Sequence, residues 1–306
     1  MISLLIRFGV ILAMSVVSLH INAQVILSIT EDPAAVTIEN GNNSLRKNEL
    51  SIDTVKYQIT YRSSLIPDTA NHETKEEGFT VTLVGGNYAK FMDKADLDSW
   101  LLRRQMRAAG KSRSEIMMAS VNSRRQPVYV EEFIMNYPQK DVNTVLSYLA
   151  GTMRQYNDDG AIQNWSIGDE TKEILGYKCR KATCRFRGRD YEAWYAEELP
   201  IPYGPYNFRG LPGLIVELYD TGREYEFLMV GIERPSEDMP MILNISKTIE
   251  KISRNDFRKL KEYYNDNAAG SLLDGQMRIV VSSDEERTEL EKRLNGRRPY
   301  NPIEKE

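Results

Sequence analysis

The sequence predicts an α+β fold made mainly of antiparallel strands. Three observations carry this. Apolar and polar residues alternate with a period of two from Val55 onward, in segment after segment. Short turns separate the segments, at Gly85-Gly86-Asn87, Gly188-Arg189-Asp190 and Asp220-Thr221-Gly222-Arg223. Helical spacing is confined to two places, between Asp93 and Asn122 and after Ser253.

The first 23 residues stand outside that fold. Arg7 is their only charge, Phe8 to Leu19 is apolar, and Ile21-Asn22-Ala23 puts a small residue before Gln24, the pattern of a secretory signal peptide. A membrane anchor needs about 20 apolar residues, and His20 and Asn22 interrupt this shorter run. No cysteine lies near the expected cut, so lipid anchoring is not expected, and no later stretch is long and apolar enough to span a bilayer. The expected location is the periplasm or the periphery of the outer membrane. Loss of Arg7 takes 40 basic residues to 39 against 44 acidic ones, a balance that argues against a nucleic-acid partner. With 306 residues, 41% of them hydrophobic, the chain can bury a sizeable core.

Residues 24–50 read as an opening strand and a linker, and 51–306 as one β-rich domain with a helical insertion near 93–122. Val55, Tyr57, Ile59 and Tyr61 alternate with Lys56, Gln58, Thr60 and Arg62 as a half-buried strand, and Phe79, Val81 and Leu83 repeat the pattern. Leu97, Trp100, Leu101 and Met117 then fall among charged residues, giving two consecutive helices broken at Gly110. Gly110-Lys111-Ser112 is the tail of a phosphate-binding loop only by chance, because Gln105 stands where its leading glycine belongs. Strands resume at Val128 to Ile134 and between Asn143 and Tyr156. Ile162 to Ile167 leads into Thr171 to Cys179, and a hairpin about Gly188-Arg189-Asp190 joins Tyr177–Arg187 to Tyr191–Glu198. A second hairpin joins Leu214–Tyr219 to Tyr225–Ile232, and Met241 to Ile249 is a further strand. Arg254 to Asn267 places Phe257, Leu260, Tyr263 and Tyr264 on one helix face, and Asp284 to Leu294 reads as a charged helix.

Between the two hairpins lies Pro200 to Gly213, with four prolines and three glycines in fourteen residues. Such a run cannot be a helix or a central strand. Its aromatics, Tyr203, Tyr206 and Phe208, still need burial, so it reads as an ordered loop. Pro200, Pro205, Gly210, Leu211, Pro212 and Gly213 give it a rigid structural role, a clasp across an open end or edge of the sheet. Pro212-Gly213 suits a type II turn with Gly213 at positive φ. Gly210 to Ile215 spell GLPGLI, and with the Trp165 strand, Glu170-Thr171-Lys172, Gly176-Tyr177-x-Cys179, Gly188-Arg189 and Ala193-Trp194-Tyr195 the chain resembles the GLPGLI family of exported Bacteroidota proteins. The closing Asn301-Pro302-Ile303-Glu304 is similar to that family's tail. The resemblance implies export and brings no established activity. The strand order also resembles the curved half-barrels of periplasmic lipoprotein carriers, which implies a curved sheet whose helices cover a concave apolar face. Asp53-Thr54-Val55 and Asp68-Thr69-Ala70 resemble the short O-glycosylation signal of these bacteria.

Candidate chemistry is sparse. Beyond the signal segment His72 is the only histidine, in the polar run Thr69 to Glu77, which leaves serine or cysteine nucleophiles without a base and zinc without ligands. No metal and no cofactor is expected. Cys179 and Cys184, if they lie on one continuous strand, would face opposite sides about 17 Å apart, beyond the roughly 7 Å that a disulfide allows; they would pair only where the strand breaks between them. Glu192, Glu197, Glu198, Glu217 and Asp220 cluster near the loop, and a glycosidase would need two of them about 5 to 10 Å apart. Arg189, Trp194 and Tyr195 read either as a recognition patch beside Tyr206, Phe208 and Glu217, or as turn and core residues. The expected function is a non-enzymatic envelope protein that binds a lipid, another apolar ligand or a protein partner through a concave sheet. The alternatives are a carboxylate hydrolase and an assembly factor.

Overall fold

The computed structural model describes residues 24–27, 45–123, 125–149, 151–160, 162–235, 238–266, 277–280 and 300–305. The expected signal peptide and the helix at Asp284 to Leu294 lie outside them. Contacts group the chain into two units, where the sequence suggests one domain from residue 51. The smaller unit comprises residues 1–33, 149–152 and 255–298, and the larger 34–148, 153–254 and 299–306. In the smaller unit β1 (Gln24–Leu27) pairs antiparallel with β16 (Met277–Val280). Helix α3 (Arg254–Asp266) buries Phe257 and stacks Tyr263 edge-on to Tyr264 at 5.3 Å.

The larger unit is built on one twelve-stranded sheet. Its strands are β3 (Tyr57–Leu65), β4 (Glu76–Val84), β5 (Ala89–Asp93), β6 (Glu131–Met135), β7 (Asn143–Leu149), β8 (Thr152–Asp158), β9 (Ser166–Ile174), β10 (Tyr177–Phe186), β11 (Arg189–Ala196), β12 (Leu214–Asp220), β13 (Tyr225–Glu233) and β15 (Glu250–Lys251). The order is β15-β8-β7-β6-β5-β4-β3-β13-β12-β11-β10-β9, so the sheet is open, with β15 and β9 at its edges. Pairing is antiparallel from β7 across to β9, and β15 adds to β8 in parallel. A separate ribbon pairs β2 (Glu49–Thr54) with β14 (Pro240–Asn244).

Strand alternation gives this sheet two faces, and from β4 to β7 both bury side chains. On the front, Tyr61, Phe91, Phe133 and Phe227 point inward from successive strands and are buried. On the back, Leu83, Met92 and Val81 pack with Leu97 of α1 (Lys94–Ala108) and with Met239 and Met241 beside the ribbon. Asp93 starts α1 as its N-cap, accepting from Ala95 N at 2.8 Å, and also takes the amides of Val128 and Tyr129. Its burial pushes that carboxyl up, against those three hydrogen bonds. Gly110, at φ 69°, ends the α1 segment, and Ser112 forms a capping box with Glu115 at the start of α2 (Arg113–Asn122). The fragment that mimics a phosphate loop is thus a helix–helix turn.

The loop from Pro200 to Gly213 lies over the front face, not across an edge. Tyr206 meets Phe133 at 4.3 Å and Phe91 at 5.9 Å, while Phe208 meets Tyr191 at 4.6 Å and Phe186 at 5.5 Å. Thr82 donates to the Gly204 carbonyl at 2.9 Å, and Tyr61 to that of Ile215 at 2.8 Å. The reason is burial. The inner strands expose aromatic rings that only another apolar layer can cover, and the loop's own rings supply it.

Three expectations need correction. The hairpin turn is Arg187-Gly188, both at positive φ, so Arg189 begins β11 and is buried. Leu175 and Gly176 form a similar turn between β9 and β10, interrupting the segment read as running from Thr171 to Cys179. The strand expected over Met241 to Ile249 stops at Asn244, and β15 begins at Glu250.

Gly213 is not at positive φ; Gly210 is, at 92°. Gly213 is required by crowding instead, since a Cβ there would sit 2.0 Å from the carbonyl oxygen of Ala196. Backbone cannot step aside as a flexible side chain does. Gly213→Ala is therefore expected to cost about 2 kcal/mol or more through overpacking. Gly210→Ala, with nothing within 4 Å of its Cβ, meets only φ strain, on the order of 1 kcal/mol. Urea midpoints of the two variants check this; equal losses would contradict it.

Candidate functional site

The six residues proposed from the sequence as ligand-binding are scattered. Tyr206 and Phe208 fill the front core and are closed to a ligand arriving from solvent. Tyr195 is fully buried and sits opposite Arg180 and Ile215, its hydroxyl donating to Glu197 at 3.2 Å.

Arg189 is the centre of a buried latch. Its guanidinium pairs with Asp220 at 2.8 Å and with Glu224, and donates to Asn301 and the Pro302 carbonyl. Asn301 in turn donates to Ile66 O at 2.9 Å, and Tyr191 donates to Ile303 O at 3.0 Å. Glu304 accepts from Tyr206 at 3.1 Å and from Arg254 at 2.6 Å. The tail is thereby bolted to the front of the sheet. Burial pushes the Glu224 carboxyl up, but hydrogen bonds from Arg189 and Asn301 and the Arg189 charge outweigh it, so its pKa lies below the usual value. A depressed folded-state pKa contributes stability that is present above the unfolded value and is lost as pH falls through the folded one.

Besides the ring contact of Tyr206 with Phe208 inside the core, Trp194 and Glu217 come together. They are cross-strand partners on the back face. Lys172 lies 4.2 Å over the Trp194 ring and pairs with Glu217, while Lys181 pairs with Glu192 at 2.8 Å. Glu192 also accepts from Tyr219 and from the Trp194 indole. Glu197 lies 3.8 Å from Arg180, Glu198 accepts from the Lys178 amide at 3.0 Å, and Asp220 is in the latch on the opposite face. Each carboxylate of the sequence cluster already has a cation or an amide donor. Cys179 and Cys184 are unpaired and buried on opposite faces of β10, and burial pushes their thiols up to about 11 and about 12. Among the described residues no group of His, Cys, Asp and Glu is placed to hold a metal ion, and His72 stands exposed in a single 3-10 turn.

A different feature stands out: a cleft of about 440 Å³ on the back of the sheet, bounded by α1 and the β2–β14 ribbon. Leu83, Met92, Leu97, Leu146, Met239 and Ile242 give it apolar walls. Its polar groups are Arg46, Glu49, Lys90, Asp96, Arg103 and Glu132, with the rings of Trp100 and Tyr148. Lys90 is buried, paired with Glu132 at 2.7 Å and donating to Ile242 O at 3.0 Å. Glu49 accepts from the Trp100 indole at 3.3 Å and from the Arg46 amide at 3.0 Å. Burial, reinforced by the Arg46 charge, lowers the pKa of the Arg103 guanidinium. α1 builds one wall because Asp96, Leu97, Trp100 and Arg103 recur at helical spacing. The sequence reading used Leu97 and Trp100 as core markers and passed over Arg103 one turn on, which was the available signal. Arg46 gave none, since only folding brings the turn before β2 to that helix.

Residues 107–254 match a family described as the N-terminal domain of an N-glycanase peptide. That stretch contains the β6–β8 and β14 walls of the cleft but not Arg46, Lys90, Trp100 or Arg103. The chain is similar to two solved structures of PNGF-II, in C2 and P21 space groups. Identity is 14% in both, with TM-scores of 0.45 and 0.44, covering 67% of this chain and 32% and 33% of theirs. The chain thus matches about a third of the length of those structures. No curated protein matches it. No helix among the described residues is long and apolar enough to cross a membrane.

The latch gives a pH prediction. Wild-type stability, read as the urea midpoint, is expected to fall as pH drops from about 5 toward 3, and Glu224→Gln to remove part of that dependence. Identical slopes would show that Glu224 does not couple protonation to folding.

Proposed function

We propose that the chain is an exported, non-enzymatic envelope protein that takes an apolar or amphiphilic ligand into the cleft on the back of its sheet. The observation that carries this reading is the cleft itself, about 440 Å³ with apolar walls and a charged rim. Its size falls within the roughly 300–1,000 Å³ of small-molecule sites. The reading also places the chain with the exported GLPGLI proteins, with residues 1–23 as a cleaved signal peptide, and sees in the open sheet under α1 a half-barrel of the carrier kind. It moves the ligand site from the front face to the back, because the chain's own loop fills the front. Trp194 and Glu217 become the aromatic and ionic surface of the neighbouring back-face strands. The hydrolase alternative loses ground, since Glu192 and Glu217 are already engaged by Lys181 and Lys172.

A second occupant, an N-glycan, is favoured by the matched family, whose description names an N-glycanase. Trp100 and Tyr148 beside Asp96 and Glu132 offer a stacking and hydrogen-bonding wall suited to a sugar.

Protein purified from its native envelope is expected to begin at Gln24 and to release a bound compound into organic solvent, detected by mass spectrometry. Met153→Trp, which narrows the cleft, should lose that compound while keeping the wild-type urea midpoint. A compound retained by Met153→Trp would place the site elsewhere. Recovery of an oligosaccharide would select the second occupant, and an intact Met1 would overturn export.

A further inference from the structure

We infer that the ligand of this cleft carries an anionic group, a carboxylate, sulfate or phosphate, on an apolar body, with Arg46, Arg103 and Arg107 receiving the anion. The inference rests on the reading of the cleft as the ligand site and adds the chemical class of the ligand. Arg46 and Arg103 both line the cleft beside its apolar walls. Arg107 follows Arg103 by four residues on α1, which puts both on one helix face about 6 Å apart. Arg46 and Glu49 bear electrostatically on both Arg103 and Arg107, and Asp96 on Arg103, with Arg107 next to the cleft lining through its place on the helix.

What sets these arginines apart is that, among the described residues, no carboxylate is ion-paired with them: Glu49 and Asp96 act on Arg103, and Glu49 on Arg107, only through space. Neighbouring cations have partners: Lys90 has Glu132 and Lys94 has Asp98, each at 2.7 Å. Among the described residues Arg103 donates only to the neutral hydroxyl of Ser99. All three guanidinium nitrogens of Arg107 are shielded from solvent and have no hydrogen-bond partner. Of the two carboxylates that act on Arg103, Glu49 accepts from the Trp100 indole and the Arg46 amide. Burial and then the Arg46 charge both lower the pKa of Arg103 and of Arg107. Arg46 is exposed, but Arg103 and Arg107 are half-buried, and like charges held partly out of water are costly unless an opposite charge arrives. Guanidinium forks match the oxygens of carboxylate, sulfate and phosphate. The walls of Leu83, Met92, Leu97 and Leu146 lie in the same cleft, where an attached apolar chain gains by burial. A plain anion would leave those walls wet, and a neutral chain would leave the arginines unpaired.

The test uses the full mature chain with three probes, decanoate, 1-decanol and inorganic phosphate, read by calorimetry and by tryptophan fluorescence, since Trp100 lines the cleft. Decanoate is expected to bind roughly tenfold or more tightly than decanol. Arg103→Gln and Arg107→Gln should each weaken decanoate by roughly tenfold and leave decanol unchanged. Arg103→Lys, which keeps the charge and loses the fork, should fall between, and circular dichroism with urea midpoints confirms that each variant folds. Equal binding of decanoate and decanol, or arginine variants that do not discriminate, overturns the anionic class while the cleft reading stands. Phosphate binding as tightly as decanoate overturns the apolar body. If neither decanoate nor decanol binds, the cleft reading falls, and this inference with it.

Discussion

The fold depends on the burial of one charge. The Arg189 side chain is 2% exposed and is held by Asp220, Glu224, Asn301 and the Pro302 carbonyl. Removing one partner from such a set leaves the rest uncompensated in a dry site. Asp220 also takes the amides of Glu224 and Tyr225, each at 2.8 Å, and so fixes the turn between β12 and β13. One guanidinium therefore ties the start of β11, that turn and the C-terminal tail into a single body. Tyr225 lies under it, with the Arg189 guanidinium 4.8 Å from the ring centroid, and donates to Asn301 O.

Around that anchor, the organising requirement is to cover two faces of a wide sheet. The front is closed by the chain itself: the loop rings interlock with the strand rings, and the tail lies beside them. The back is closed less completely. Helix α1 and the β2–β14 ribbon cover the strands from β4 to β8, and the space left between them is the cleft. Farther along the back, from β9 to β12, lysines lie over and beside Trp194 and pair with its glutamate neighbours. The candidate cleft thus lies on the back; of the sequence cluster, Asp220 belongs to the front latch, while Trp194 and Glu217 lie on the back beyond the cleft.

Much of the fold was legible because it is local. Period-two alternation at Tyr57 to Arg62, a helix start at Asp93 or Asp96 and the turn residues near Gly188 and Gly222 each act within a few residues. Their physics does not need the rest of the chain. The α+β class with an antiparallel sheet, and the separation of the two cysteines, follow from such signals. Errors of a residue or two arose where side-chain type misleads. Arg189 looks like a turn residue beside Gly188, yet the left-handed pair is Arg187-Gly188.

By itself, then, the sequence determined most of the elements, a proline-glycine loop that is neither helix nor central strand, and the scarcity of histidine and cysteine. Only the tertiary structure decided which face that loop covers, why Gly213 must be glycine, and which arginine is buried. It also decided that Arg46, Trp100 and Arg103 share a cleft. The physical reason is contact at long range. A carbonyl at Ala196, a tail residue at Asn301 and a turn at Arg46 acquire their meaning from neighbours that the chain brings close only when the sheet is complete.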